Sequence, residues 1–300
     1  MENVIVVTIN SRQHIIGYFS LPSKGISGNA SLKDQQMALE WIHENIASFN
    51  GDPNKICLFG ESGGALSTHF HVLNAKSRQL ISSAICQSGT STNEWAFYKS
   101  NDEIVIRLAK RLGCQTDSLD DAFNTLMNAS AQELYENCEK MTTKQKKSGA
   151  RTLWRFIIED ESEDAFITES SIESMISQAG KINFPIIYGS NDGDGMPSIA
   201  QYISRKNLAK VNQNLGNLIP NSLVAQLGDN KNAFTEEMRR FYFNGRELTE
   251  ELYPEINILS SDLDYLLTQT ITNELTARYQ PGCKQFLYEF QFDGKLNIQK

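Results

Sequence analysis

The chain has 300 residues, 40% hydrophobic and 21% charged, with a formal net charge of -8 and a pI near 5.2. That length holds one large α/β domain or two modest ones, and the acidic balance argues against nucleic acid and anionic membrane as partners. No apolar run is long enough to span a bilayer. The first residues, Met1-Glu2-Asn3 and then Val4-Ile5-Val6-Val7, carry no basic leader and do not read as a signal peptide. On these residues the chain reads as cytoplasmic; secretion is the alternative if the natural N-terminus lies upstream.

Residues 4–9 form a continuous apolar run, the pattern of a strand buried on both faces. Residues 15–19 read as a short strand or turn. Helical spacing covers 32–49 through Met37, Trp41, Asn45 and Ile46, with Asn29 or Ser31 as the cap. Gly51-Asp52-Pro53 ends that helix. A strand at 55–60, a helix at 63–74 and a strand at 82–87 follow with short connections. This alternation predicts a mostly parallel sheet covered by helices. Residues 101–140 are helical, with Ile104, Leu108, Leu112, Leu119, Phe123 and Leu126 on apolar faces. The charged stretch 142–148 reads as an exposed loop. A strand at 184–188, helices at 196–206, 231–243 and 261–279, and an alternating strand at 286–292 complete the pattern.

Cys57, Cys86, Cys114, Cys138 and Cys283 show no metal-ligand spacing. Cys57 and Cys86 sit in strand patterns as small buried hydrophobes. A Cys114–Cys138 bridge is open but unsupported. Sequons at Asn29 and Asn128 do not decide the compartment.

The most informative stretch is Gly60-Glu61-Ser62-Gly63-Gly64, a G-x-S-x-G between the run Ile56-Cys57-Leu58-Phe59 and a helix. A nucleophile elbow needs this strand–turn–helix setting, in which a sharp turn lifts a serine hydroxyl above the sheet of an α/β-hydrolase. The helix places its positive N-terminal end beneath that hydroxyl. The plainer alternative is a strand-to-helix turn whose serine caps the helix.

The flanks narrow the choice. Gly28-Asn29, Leu32, Asp34-Gln35, Ala38-Leu39, Trp41, Asn45-Ile46, Phe49, Gly51-Asp52-Pro53 and Phe59-Gly60-Glu61-Ser62 occur in order at fixed offsets. They resemble the type-B carboxylesterase and cholinesterase family, whose pattern runs GN-x-GL-x-DQ, AL-x-W, NI, GGDP and LFGES-A-G. Gln87-Ser88-Gly89 with Trp95-Ala96 resembles its next signature. The stretch Gly189-x-Asn191-x-x-Asp194-Gly195 resembles its acid loop, and Leu287-Tyr288-Glu289-Phe290 its late strand. The resemblance covers nearly the whole chain and is densest between 28 and 96. It implies a single partial α/β-hydrolase domain over 1–300, incomplete at both ends, with a helical cap region at roughly 97–180 and 196–280.

By this resemblance the reaction is hydrolysis of a small-molecule carboxylic ester through an acyl-serine, without metal or cofactor. Ser62 is the nucleophile and Gly63 supplies an oxyanion-hole N–H. Asp194 is the acid, since chain order in this fold is Ser, then Asp or Glu, then His. An acidic turn residue is the other reading of Asp194, and Asp192 is a weaker competitor. Trp95 and Phe97 line an acyl pocket or pack in the core; both readings stand. Glu61 reads as a buried structural carboxylate beside the elbow.

Several departures from the pattern bear on activity. Gly63 replaces the usual alanine, Ser31 a glycine and Ser11 a tyrosine. The glycine-rich H-G-G-G segment does not occur. The resemblance pairs Cys114 with the position of Thr125, so that bridge is expected to be missing, which favours a reducing compartment. The histidines are His14, His43, His69 and His71, and none follows Asp194. On a helix leaving Ser62, His69 and His71 lie roughly 10 and 13 Å along the axis, out of hydrogen-bonding reach. His71 matches a structural histidine of the family.

The expectation is therefore an ester hydrolase whose 300 residues are nearly inert on their own. The rivals are a non-catalytic binding module of the neuroligin kind, which the retained Ser62 disfavours, and an incomplete gene product. A sheet that begins at a mid-sheet strand further predicts self-association through an exposed edge.

Overall fold

The apolar runs expected as strands at 55–60, 82–87, 184–188 and 286–292 assemble into one parallel sheet in the computed structural model, which describes residues 3–93, 95, 97–98, 100–147, 155–196 and 205–292. The strands are β1 (Cys57–Glu61), β2 (Ser83–Gln87), β5 (Ile186–Asn191) and β6 (Gln285–Phe290), in the order β1-β2-β5-β6. Their register aligns Glu61 with Gln87, Gln87 with Gly189, and Gly189 with Tyr288. All four strands are parallel, so β1, β2 and β5 end at the same edge, and each hands over there to a loop or helix that carries polar residues.

By contacts the chain divides into two compact units. One comprises Met1–Ile56, Phe70–Ser82 and Trp95–Ser177; the other comprises Cys57–His69, Ser83–Glu94 and Gln178–Lys300. The second holds the sheet. Ile186 and Tyr188 of β5 are fully buried, as the continuous apolar run at a central strand requires. The outer strands differ: Phe59 of β1 and Phe286, Leu287 and Phe290 of β6 are exposed. Gly189 admits no side chain, because a Cβ there would lie 1.9 Å from the Tyr288 ring. A helical cluster in the same unit buries Leu215, Met238, Phe243, Leu252, Ile256 and Leu259.

The first unit is mainly helical. It contains α1 (His14–Tyr18), α2 (Ala30–Asn45), α5 (Asp102–Arg111), α6 (Leu119–Asn128) and α7 (Ala131–Lys147). Between α2 and α5 in sequence lie α3 (Gly63–Leu73) and α4 (Ala75–Arg78). Ile15, Ile104, Val105, Leu108, Ala122, Leu126 and Met141 form its core. Two short strands, β3 (Phe97–Tyr98) and β4 (Phe156–Ile157), pair in parallel.

Several local expectations fail here. Residues 4–9 form no strand and are exposed, Val4 at 73% and Val6 at 70%. A strand exists only as part of a ladder, and no described residue pairs with this run. Residues 15–19 lie mostly in helix α1. The stretch 142–148, read as a loop from its charge, continues α7 as far as Lys147; lysine and glutamine are good helix formers, and it contains no breaker before Ser148, which lies outside the described residues. Asn29 sits at the N-cap of α2 but its side chain makes no cap bond. It donates instead to Ile157 O at 2.8 Å and to Glu159 Oε2 at 2.7 Å. Of the helix expected at 196–206, residues 197–204 lie outside the described residues. Among the described residues no helix is long and apolar enough to cross a membrane.

Candidate active site

β1 ends at Glu61, and the next residue, Ser62, has φ +54° before α3 begins at Gly63. A left-handed conformation in a residue with a Cβ costs about 1–3 kcal/mol, a strain that clusters at functional sites. It persists because both sides of the turn are fixed. Ser62 N donates to Gln87 O at 2.8 Å, and Ser62 O accepts the first helical bond from Leu66 N at 3.1 Å. A Cβ on Gly60 would lie 2.4 Å from the Gly64 carbonyl, so only glycine lets the strand end and the helix approach this closely. Gly63 is under no such constraint: a Cβ there would meet nothing within 4 Å.

The loop after β2 repeats the device. Ser88 has φ +55° and is buried, and its N–H donates to Gly189 O at 2.7 Å. Its Oγ donates to Asp194 Oδ2 at 2.7 Å. Asn191 adds two more bonds, from its backbone N to Oδ2 at 2.8 Å and from Nδ2 to Oδ1 at 2.7 Å. The Asp194 carboxylate is thus held by three neutral donors. Asp192 receives none of these bonds and is exposed. Ser62 follows β1 and Asp194 follows β5 at the same edge, with β2 between them. Two strand spacings, about 10 Å, separate those strands.

Glu61 departs from expectation. It is exposed rather than buried, because β1 is an outer strand of the described sheet. Its pKa is raised, first by partial desolvation of the carboxyl and second by the negative charge of Asp194.

None of the four histidines is joined to Ser62 or Asp194 among the described residues. His69 is buried, with Nδ1 2.6 Å from Ser91 Oγ and 3.2 Å from Ser91 N, which donates to it. That backbone donor makes Nδ1 an acceptor and leaves the proton on Nε2, 3.4 Å from Tyr188 Oη. Burial pushes its pKa down to about 4. His71 lies between Ser77 Oγ at 2.9 Å and Gln35 Oε1 at 3.1 Å, and burial takes its pKa to about 3. These are neutral structural imidazoles. His14 pairs with Glu139 at 3.1 Å, and His43 is half-buried on α2.

Trp95 and Phe97 belong to the other unit. Trp95 is half-buried, and the Phe97 ring packs edge-on against Phe70 at 5.1 Å. None of the five cysteines forms a disulfide; Cys114 Sγ donates to Thr116 O at 3.7 Å, and Thr125 Oγ1 donates to Asp121 O at 2.8 Å. Sequence reasoning assigned no role to Ser88 or Asn191. Both stood in view, in Gln87-Ser88-Gly89 and in the G-x-N of the acid loop; the Ser88 bond to Asp194 depends on the register of β2 with β5, whereas the Asn191 bonds are local to the acid loop.

A parallel sheet flanked by helices, with a strained serine between strand and helix and a carboxylate loop two strands away, defines an α/β-hydrolase. The model of the carboxylesterase family matches residues 1–299, and the chain belongs to that family. It is 29% identical over 312 residues to juvenile hormone esterase of Tribolium castaneum, covering 99% of this chain and 52% of that protein. It is 31% identical over 252 residues to a carboxylic ester hydrolase of Bombus ignitus, covering 82% and 44%. Acetylcholinesterase of Myxine glutinosa is 42% identical over 135 residues, covering 44% and 40%. The chain therefore spans about half the length of the curated relatives it matches. The crystal structure of juvenile hormone esterase from Manduca sexta, with OTFP covalently attached, superposes with a TM-score of 0.77 at 24% identity, covering 96% of this chain and 54% of that one. At that identity the likeness speaks for the fold.

Proposed function

We propose that this chain carries the nucleophile and the acid of a carboxylic ester hydrolase acting on small-molecule esters. Ser62 Oγ attacks the ester carbonyl carbon while its proton passes to a base. The Gly63 N–H, at the open first turn of α3, donates to the oxyanion that forms. The ester C–O bond then breaks, the alcohol leaves with the proton, and water releases the acid from acyl-Ser62 by the same steps. Asp194 orients the base and offsets its positive charge. The base this chemistry calls for is an imidazole, and none of the chain's four histidines occupies that position. Acyl transfer of this kind requires neither metal nor cofactor.

The observation that carries the reading is the strained Ser62 at the same sheet edge as a carboxylate that three neutral donors hold in place. A fluorophosphonate probe tests it. The expected result is a covalent adduct mapped to Ser62 by mass spectrometry, lost in Ser62→Ala and slowed in Asp194→Asn. No adduct after prolonged incubation, or an adduct elsewhere, would overturn the reading.

The exposed Phe59, Phe286, Leu287 and Phe290 on the outer strands also support self-association of the isolated chain through its sheet edges. Monodisperse monomer by light scattering at micromolar concentration would contradict that.

A further inference from the structure

One helix touches both loops that meet at the Ser88–Asp194 bond. It runs over Tyr253–Ser261, passes through a π-turn at Asp262–Leu266, and continues over Leu267–Tyr279. The acid loop rests on its first part. Gly195 N donates to Ser261 Oγ at 2.8 Å, and that hydroxyl donates to Asn257 O at 2.8 Å. A Cβ on Gly195 would lie 2.4 Å from Asn257 O and 2.6 Å from Ser260 Cβ, and one on Gly193 3.0 Å from Asn257 Nδ2. Gly195 therefore lies against the helix backbone itself, closer than any side chain of its own would allow.

The loop that carries Ser88 rests on the second part. Thr92 Oγ1 donates to Thr268 O at 3.1 Å and lies 2.8 Å from Thr272 Oγ1, which is 3.0 Å from Thr90 Oγ1. Asn93 Nδ2 donates to Asp264 O at 2.5 Å, while its Oδ1 accepts from Thr90 N at 2.7 Å. Asp264 lies within the π-turn, where the regular i to i+4 ladder is interrupted and carbonyls become available to other donors. Ser261 and Thr272 are both buried, so neither hydroxyl can exchange its partner for water without opening the packing.

We propose that this helix is the positioning element for Asp194, with Ser261 fixing the loop that bears the carboxylate and Thr272 fixing the loop that bears Ser88. The inference rests on the reading of Asp194 as the acid. A displacement of about 1 Å at a catalytic group can cost about 10²-fold in rate, so a clamp on both sides of one hydrogen bond matters to turnover.

The test uses the full chain with Ser261→Ala, Thr272→Val and, as the variant that keeps a hydroxyl, Ser261→Thr. Two readouts are taken: amide hydrogen exchange at Asn191 and Gly195, and Ser62-dependent hydrolysis of a p-nitrophenyl ester with imidazole supplied as the base the chain lacks. The expected result for Ser261→Ala and Thr272→Val is exchange at those amides at least tenfold faster, with β2 amides unchanged, and kcat lower by roughly 10- to 100-fold at constant KM. Ser261→Thr restores both. Unchanged exchange and unchanged kcat in both variants overturn the proposal, as does a raised KM with intact kcat. If Ser261→Ala does not fold, Thr272→Val decides alone. A wild-type chain without Ser62-dependent turnover even with imidazole present counts against the hydrolase reading, while the exchange data still decide whether the helix holds the loop.

Discussion

Glu159 in the first unit and Asp194 in the second are both carboxylates gripped by several hydrogen bonds, yet they are left in opposite electrostatic conditions. Glu159 has a fully buried side chain and accepts bonds from Asn29 Nδ2, Phe166 N and Ile167 N, and it pairs with Lys33 Nζ at 2.6 Å. Its charge is already matched. Asp194 is half-exposed and held by Ser88 and Asn191 alone, all neutral donors, and no ion pair to it forms among the described residues. Hydrogen-bond number therefore does not separate Glu159 from the carboxylate proposed as the acid. The presence or absence of a cation does, because only an unmatched charge remains to stabilise an imidazolium.

The largest effect expected from this contrast is on turnover. With imidazole supplied as the base the chain lacks, Asp194→Asn should lower Ser62-dependent ester hydrolysis, by up to the roughly 10⁴-fold that replacing a triad acid costs, while changing folding stability by less than about 1 kcal/mol. Steady-state kinetics and urea denaturation of one preparation measure both; intact turnover with a large stability loss would make Asp194 another Glu159. The converse variant, Glu159→Ala, leaves Lys33 without its partner and should cost about 3 kcal/mol in urea unfolding, the low end for a buried pair because Lys33 is partly solvated. A loss under about 1 kcal/mol would remove the basis for calling it structural.

Acidification extends the comparison to buried bases. His69 and His71 have only neutral hydrogen-bond partners, and burial lowers their pKa values from 6.5 to about 4 and about 3. The unfolded chain therefore takes up protons first. Stability is complete above the unfolded value and is lost as pH falls toward the folded values, by up to roughly 1.4 kcal/mol per pH unit for each histidine. Denaturation midpoints between pH 7 and 4.5 should show this slope, and His69→Gln should flatten it; a flat profile in the parent chain would show that the two imidazoles are not buried as described. The smallest effect concerns the nucleophile's own turn. Gly63→Ala should add about 0.5–1 kcal/mol, since its Cβ meets nothing and alanine restricts the unfolded chain. A destabilised variant would mean that the Gly63 backbone needs a freedom the geometry does not indicate.

Much of the architecture was legible in local pattern. The apolar runs at β1, β2 and β5, the helix starting at Gly63 and the helix at 231–243 each follow from periodicity and from glycine placement. Where local pattern misled, a neighbour was the missing information. Val4 to Ile9 has the composition of a buried strand but no ladder partner among the described residues. Glu61 reads as interior from its flanks but lies on an outer strand. Asn29 has the chemistry of a helix cap, but Ile157 and Glu159 compete for its side chain.

The sequence by itself determined the four strands of the parallel sheet, the helix after the elbow, the family, and the residue types at the elbow and the acid loop, because these are encoded in short windows of spacing and hydropathy. Only the tertiary structure decided that Ser88 would reach Asp194, that Lys33 would neutralise Glu159 and that His69 would be buried facing Ser91. Those outcomes depend on register between strands and on contacts between residues 20 to 130 positions apart, and no local window contains both partners.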